Sequence, residues 1–272
     1  MTKLLPDPAW LAGLRSAASQ PPLRARVPLW AGEVVIGSVE PGFLSQIAFK
    51  PIQNMHSALQ KVEHDGAPGW RLTGDVTAGL DTLARALRDA GLAHVWRNEQ
   101  LAVNGKAGER LGTIERAVVR ALGITTHAVH LVGASFDGRV WVQQRALDKP
   151  NDPGLWDTLV GGMVAARDTR QQALVRETWE EAGLALDALQ DVTYGGRVGI
   201  RRPSGAHEEP GYTVEGIDWY RCTVPEALVP VNQDGEVARF ALLDQRELLC
   251  KMQQGEFTLE AALILAAWFE SL

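Results

Sequence analysis

The segment GGMVAARDTRQQALVRETWEEAGL, residues 161–184, constrains this chain more tightly than any other stretch. It enters through two glycines, carries Glu177, Glu180 and Glu181 at helical spacing, and closes on Gly183. Positions i, i+3 and i+4 of a helix share one face, so the three carboxylates converge on one small volume. Without a counter-charge they would repel, and the natural occupant is a hard divalent cation: magnesium, with manganese as its substitute. Both helix ends are legible too. Thr169 followed by Gln172 makes a capping box, and Gly183 stands where a left-handed C-terminal cap is wanted. Val175, Thr178, Trp179 and Ala182 repeat at i, i+3, i+4 and i+7, which predicts a core-facing stripe opposite the binding face.

The full spacing runs Gly162, five residues, Asp168, seven residues, Arg176-Glu177-Thr178, one residue, Glu180-Glu181, one residue, Gly183-Leu184. It resembles the Nudix box, with seven of the nine defined positions matching. The departures are Asp168 for the family's Glu and Thr178 for an aliphatic residue. Asp168 is one methylene shorter, so its contact with Arg176 is expected to be weaker or relayed by water. The Thr178 hydroxyl needs a local backbone acceptor. The resemblance implies an α/β fold, an α/β/α sandwich around a mixed sheet, and metal-dependent hydrolysis of a small-molecule diphosphate. It also implies a site: Glu177, Glu180, Glu181 and the backbone carbonyl of Gly161 as metal ligands, with Arg176 orienting the glutamates.

Nudix enzymes often recruit the general base from outside the box. Glu236 in the turn-like NQDGEV is the preferred position, with Glu208, Glu209 and Glu215 as alternatives. Arg145 and Lys149, and with them Arg197, Arg201 and Arg202, are cations suited to substrate phosphates. Trp219 and Tyr220, together with Trp141 and Trp156, offer ring faces for stacking. The segments GERLGTIERAVVRALGITTHAVHLVGAS, DPGLWDTLVGGMVA and VPVNQDGEVARF are similar to a Nudix subgroup with an extra N-terminal domain. In fungi that pair of domains is fused to thiamine pyrophosphokinase. The resemblance implies a diphosphatase acting on thiamine diphosphate or its damaged oxidised analogues, yielding the monophosphate. An ADP-ribose or nucleotide-sugar pyrophosphatase is the alternative. A non-catalytic binding module is the alternative of another class, and the retention of all three helix glutamates weighs against it.

The rest of the 272 residues reads as two parts, a smaller α/β unit over 1–123 and the Nudix unit over 124–272. The pattern predicts helices at 8–18 and 75–90, a strand at 33–39, and a bridging helix from Thr113 through Ala121. A hairpin at 127–135 and 140–146, strands at 157–160, 192–198, 214–223 and 237–243, and a helix at 257–269 follow. The net charge of -6 argues against nucleic acid as a general partner. No apolar run approaches the ~20 residues needed to span a bilayer, so no membrane role and a cytoplasmic location are expected. Cys222 and Cys250 lack metal-ligand spacing and are expected to be reduced and buried. The six histidines read as ordinary surface or partly buried residues. The first part has no motif with a mechanism attached. Lid, scaffold and homodimer interface all remain open for it.

Overall fold

The computed structural model describes residues 4–47, 59–64, 66–204 and 211–272, so Glu208 and Glu209 lie outside the described residues. In the first part, β1 (Val27–Ala31), β2 (Val34–Val39), β3 (Leu59–His64) and β4 (Ala67–Leu72) form a sheet in the order β2-β1-β4-β3. Only β1 and β4 run parallel within it. The helix α2 (Val76–Asp89) starts where the Asp75 carboxylate accepts the Ala78 amide, and it buries Leu80, Leu83 and Leu87.

The expected helix from Thr113 to Ala121 is not formed. Thr113 sits in β6 (Arg110–Glu115), paired antiparallel with β5 (Gln100–Asn104), and only a short 3-10 turn at Arg116–Val118 follows. The cause is local. Gly108 takes φ +85° at the hairpin tip, and the Glu115 carboxylate accepts the Arg97 amide, ending the strand there.

The second part is built on β7 (Thr125–Ala134), β8 (Val140–Arg145), β11 (Gln190–Pro203), β12 (Tyr212–Thr223) and β13 (Val237–Leu243), ordered β11-β12-β7-β8-β13. Two short strands pair onto this path, β9 (Trp156–Asp157) on β8 and β10 (Val160–Met163) on β7. The predicted strand at 157–160 is thus split, and β10 runs through the double glycine. Strands β12 and β7 are parallel while the other pairs are antiparallel, which makes the sheet mixed.

Alternation along β7 sends Val129 and Leu131 to one face and Ala128 and Val132 to the other. The helix α3 (Arg170–Ala182) covers the first face. The second is covered by α5 (Leu259–Ser271) and by α4 (Gln245–Gln253), a helix the sequence pattern did not mark. This is the α/β/α sandwich.

The first helix of the chain, α1 (Pro8–Ala18), packs on this second core through Trp10, Leu11, Leu14 and Ala18, and Arg15 pairs with Glu270 at 2.8 Å. Across the junction, the Ala166 amide donates to Gln100 O at 2.7 Å, and Arg110 Nη1 donates to Ala166 O at 3.0 Å. The β5–β6 hairpin is thereby anchored beside the loop that leads into α3. Cys222 is buried as expected, whereas Cys250 is exposed on α4. No helix among the described residues is long and apolar enough to cross a membrane.

Candidate active site

The capping box forms: the Thr169 amide donates to Gln172 Oε1 at 2.8 Å, and Thr169 Oγ1 accepts the Gln172 amide at 3.2 Å. Gly183 closes α3 at φ +62°. Thr178 Oγ1 donates to Leu174 O at 2.6 Å, so the polar departure from the box is satisfied one turn back.

The expected division of the helix into a packing face and a binding face holds only for half of the stripe: Thr178 and Ala182 are buried, Val175 and Trp179 are not. Val175 is 48% and Trp179 55% exposed, while Glu177 and Glu181 are buried on the inward half with Ala173, Leu174, Thr178 and Ala182. The double glycine makes this arrangement fit. A Cβ on Gly162 would stand 2.0 Å from Glu177 Cδ, and one on Gly161 would stand 2.4 Å from His130 Cε1. The carboxylate occupies the space a side chain would otherwise fill.

Arg176 gathers the constellation. Its Nε donates to Asp168 Oδ2 at 2.9 Å, its Nη1 donates to Glu177 Oε1 and to Glu180 Oε2 at 2.9 Å each, and its Nη2 reaches Met163 O at 3.2 Å. The contact with the shorter Asp168 is direct, neither weakened nor water-relayed. Burial works against the guanidinium charge, but Glu177, Asp168 and Glu180 outweigh it and hold its pKa above the ordinary value.

Glu181 Oε2 accepts the Gly161 amide and Gln143 Nε2, both at 2.8 Å. Burial pushes the Glu177 carboxyl up to about 7 against the pull of Arg176, and burial with Glu177 beside it pushes Glu181 up to about 8. Among the described residues no three acidic, imidazole or thiol groups are gathered as a ready cation cage. The donor chemistry nonetheless fits a hard divalent cation. Two desolvated carboxylates lie beside the side-chain-free Gly161 and Gly162, the third is held a turn away by Arg176, and the buried Gln143 Oε1 has no hydrogen-bond partner.

Other expected residues are placed differently. Glu236 is ion-paired to Lys149; burial works to raise its carboxyl, but Lys149, Arg97 and Arg116 hold it below the usual range. Each partner thereby offsets the charge of the other. Arg145 is also engaged, through Asn151 O at 3.1 Å and Asp157 Oδ2 at 3.5 Å. Trp219 is 2% exposed, and its ring lies so close to Gly195 that a Cβ there would be 2.1 Å away, so it packs the core rather than offering a stacking face. Tyr220 is half-buried, edge-on to Tyr194 at 5.6 Å between centroids.

Four residues carried no spacing signal. Gln143 bonds Glu181. His130 is buried, its Nδ1 2.8 Å from Thr158 Oγ1, which itself donates to Val160 O; the network places the hydrogen on Nδ1, and burial lowers the imidazole pKa. Asp157 accepts from the Thr158 amide and from Thr258 Oγ1. Glu260, in the first turn of α5, is pushed up to about 7 by burial and then by Glu215. At the junction of the two parts, a cavity of about 300 Å3 is lined by Arg97, Arg116 and Arg120 from the first and Met163, Tyr212 and Glu215 from the second.

A carboxylate helix entered through a double glycine, set on one face of an α/β/α sandwich, defines a Nudix-type site. Residues 125–264 match the NUDIX domain, and the chain belongs to that family. It is 28% identical to the Saccharomyces cerevisiae protein YJR142W over 68% of this chain and 59% of that one. It is also 28% identical to the chloroplastic Nudix hydrolase 20 of Arabidopsis thaliana, over 67% and 49% respectively. The chain therefore spans about half the length of the curated relatives it matches. Among solved structures it resembles DR0079 from Deinococcus radiodurans, with a TM-score of 0.49, 22% identity, and 64% and 98% of the two chains covered.

Proposed function

We propose that this chain is a magnesium-dependent diphosphatase whose site is the Glu177, Glu180, Glu181 constellation. The observation that carries the reading is Arg176, which ties Asp168, Glu177 and Glu180 together beside the double glycine while Glu181 is held separately by Gly161 and Gln143. Glu177, Glu181, Glu180 and the Gly161 carbonyl would hold the cation, which supplies charge neutralisation for a diphosphate under attack by water. Arg176 positions the carboxylates and does not touch substrate.

For the general base Glu236 is the preferred residue: its loop is bonded to the box helix, the Gln233 amide donating to Glu180 O at 3.1 Å, and Lys149 holds its carboxyl in the ionised form a base needs. The junction cavity is the proposed substrate cleft. Arg97 and Arg120 offer charge to phosphates, Arg116 being paired with Glu99 at 2.7 Å, and Glu215 suits a cationic or hydrogen-donating ring at the other end. In this reading the first part of the chain is a wall of the cleft. A cationic thiazolium ring opposite Glu215 is compatible with thiamine diphosphate or its oxidised analogues as substrate.

The test is release of phosphate or of monophosphate products from a panel of thiamine diphosphate, its oxidised analogues, ADP-ribose and nucleotide sugars, with and without magnesium, beside Glu181→Gln. Metal-dependent cleavage of the thiamine compounds, lost in the variant, is the expected result. Preference for ADP-ribose or a nucleotide sugar keeps the chemistry and overturns the substrate. No turnover on any member moves the chain to a binding role.

A further inference from the structure

Adjoining the 300 Å3 cavity, with which it shares Ile124, Thr126, Tyr212 and Val214, is a cleft where the tip of the β5–β6 hairpin overhangs the start of α3 and the edge of β11. The cleft between them measures about 750 Å3. Five cationic side chains line it: Lys106 and Arg110 from the hairpin, Arg170 from the first turn of α3, and Arg197 and Arg201 from β11. Among the described residues lining the cleft, Asp168 is the only carboxylate, and it is bound by Arg176.

The positive charge is not balanced locally. Arg170 Nε and Arg197 Nη2 share one oxygen, Asp218 Oδ2, at 2.7 and 3.0 Å, so a single buried carboxylate faces two guanidiniums. His127 adds no compensation. Burial and then Arg197 lower its pKa, and its Nδ1 lies 3.4 Å from Arg197 Nη2, the arrangement of a neutral ring accepting from the guanidinium. Arg170 also stands at the positive end of the α3 dipole, whose first turn contains no acid. In a chain of net charge -6, such a concentration of cations in a concave surface of small-molecule size marks an anion site.

We propose that this cleft is a second ligand site, distinct from the catalytic carboxylates, that binds a small molecule rich in phosphate such as a di- or triphosphate. A cleft of this volume with cations on both walls exceeds what one phosphate needs and matches a chain of two or three. Asp168 lines the cleft and holds Arg176, so a ligand seated there lies beside the contact that orients Glu177 and Glu180. The site needs no divalent cation, because its own side chains supply the charge, and it does not depend on the catalytic reading.

The experiment is calorimetric titration of the metal-free full chain, in chelator, with inorganic pyrophosphate and triphosphate at low and high salt. Saturable one-to-one binding that weakens with salt is expected, unchanged in Glu181→Gln and at least about 10-fold weaker in the Lys106→Glu, Arg201→Glu double variant. Both reversed positions are exposed, and the melting temperature of the double variant verifies its fold. Three results overturn the proposal: no saturable binding without metal, loss of binding in Glu181→Gln, or stronger competition by a single-stranded oligonucleotide than by triphosphate. Failure of the diphosphatase assay leaves this titration unaffected, so the two readings are tested separately.

Discussion

Gly162 and Glu177 occupy one volume: the carboxyl carbon of Glu177 lies 2.0 Å from where a Cβ on Gly162 would stand. The box glycine is therefore required by contact and not by backbone conformation. Gly162→Ala must push the Glu177 carboxyl out of place. A displacement of about 1 Å in a catalytic group costs roughly 100-fold in rate, and that is the expected loss. Steady-state kinetics beside a melting curve checks it, and near wild-type turnover would show that Glu177 is not needed where it stands.

Asp168 already reaches Arg176 at 2.9 Å. Restoring the family residue by Asp168→Glu should leave the rate within about 3-fold of wild type, because the same oxygen contact is made with a longer arm. Asp168→Asn removes the charge that anchors Arg176, and losses of such supporting contacts run to about 10–100-fold. Rates of the two variants under identical metal concentrations separate these outcomes, and equal losses in both would mean that Asp168 supports the fold alone.

Much of this site was legible in the sequence. The capping box, Gly183 and the Arg176 fork are short-range features, and their spacing dictates them wherever the helix lies. Which way the helix faces was not legible. Val175 and Trp179 satisfy the periodicity of a core stripe, yet the side-chain-free double glycine draws Glu177 and Glu181 inward and turns those apolar residues outward. The hairpin at 100–115 is illegible for a similar reason, since Thr113 fits a cap while the turn at Gly108 decides the strand pairing. Gln143 acts through a partner 38 residues away, and His130 and Glu260 through groups on other elements, so no local pattern marks them.

The two tryptophans give a direct test of that inversion. Trp219 is 2% and Trp179 55% exposed. Trp219→Ala should cost about 3–5 kcal/mol by opening a core cavity, whereas Trp179→Ala should stay within about 0.5 kcal/mol of wild type. Urea unfolding of both variants decides it, and similar losses in the two would contradict the placement of the helix.

Glu260 yields a prediction in pH. Its carboxyl stands at about 7 when folded, above the ordinary carboxylate value of about 4.3. Between those values the folded chain keeps a proton that the unfolded chain has released, so this residue's burial destabilises the fold increasingly as pH rises, with the full cost present above the folded pKa. Glu260→Gln lacks that penalty, and its stability relative to wild type should grow from pH 4 to pH 8. Melting curves from pH 4 to pH 8 measure the effect, and a flat stability difference would show that the residue is solvated.

Gln143 and Glu181 supply the last test, because the amide reaches the carboxylate from a different strand and cannot be replaced by the helix itself. Gln143 Nε2 donates to Glu181 Oε2 at 2.8 Å, sharing that oxygen with the Gly161 amide. In Gln143→Leu the shape is nearly kept while Glu181 loses one of two donors that favour its charged form, so its proton is held more tightly and competes better with a cation. The expected result is a roughly 10–100-fold weaker manganese affinity with a smaller change in melting temperature. The loss should shrink as pH rises well above about 8, where Glu181 ionises even without the amide. Manganese titration followed by electron paramagnetic resonance at pH 7 and pH 9 measures both, and unchanged affinity at pH 7 would remove Gln143 from the site.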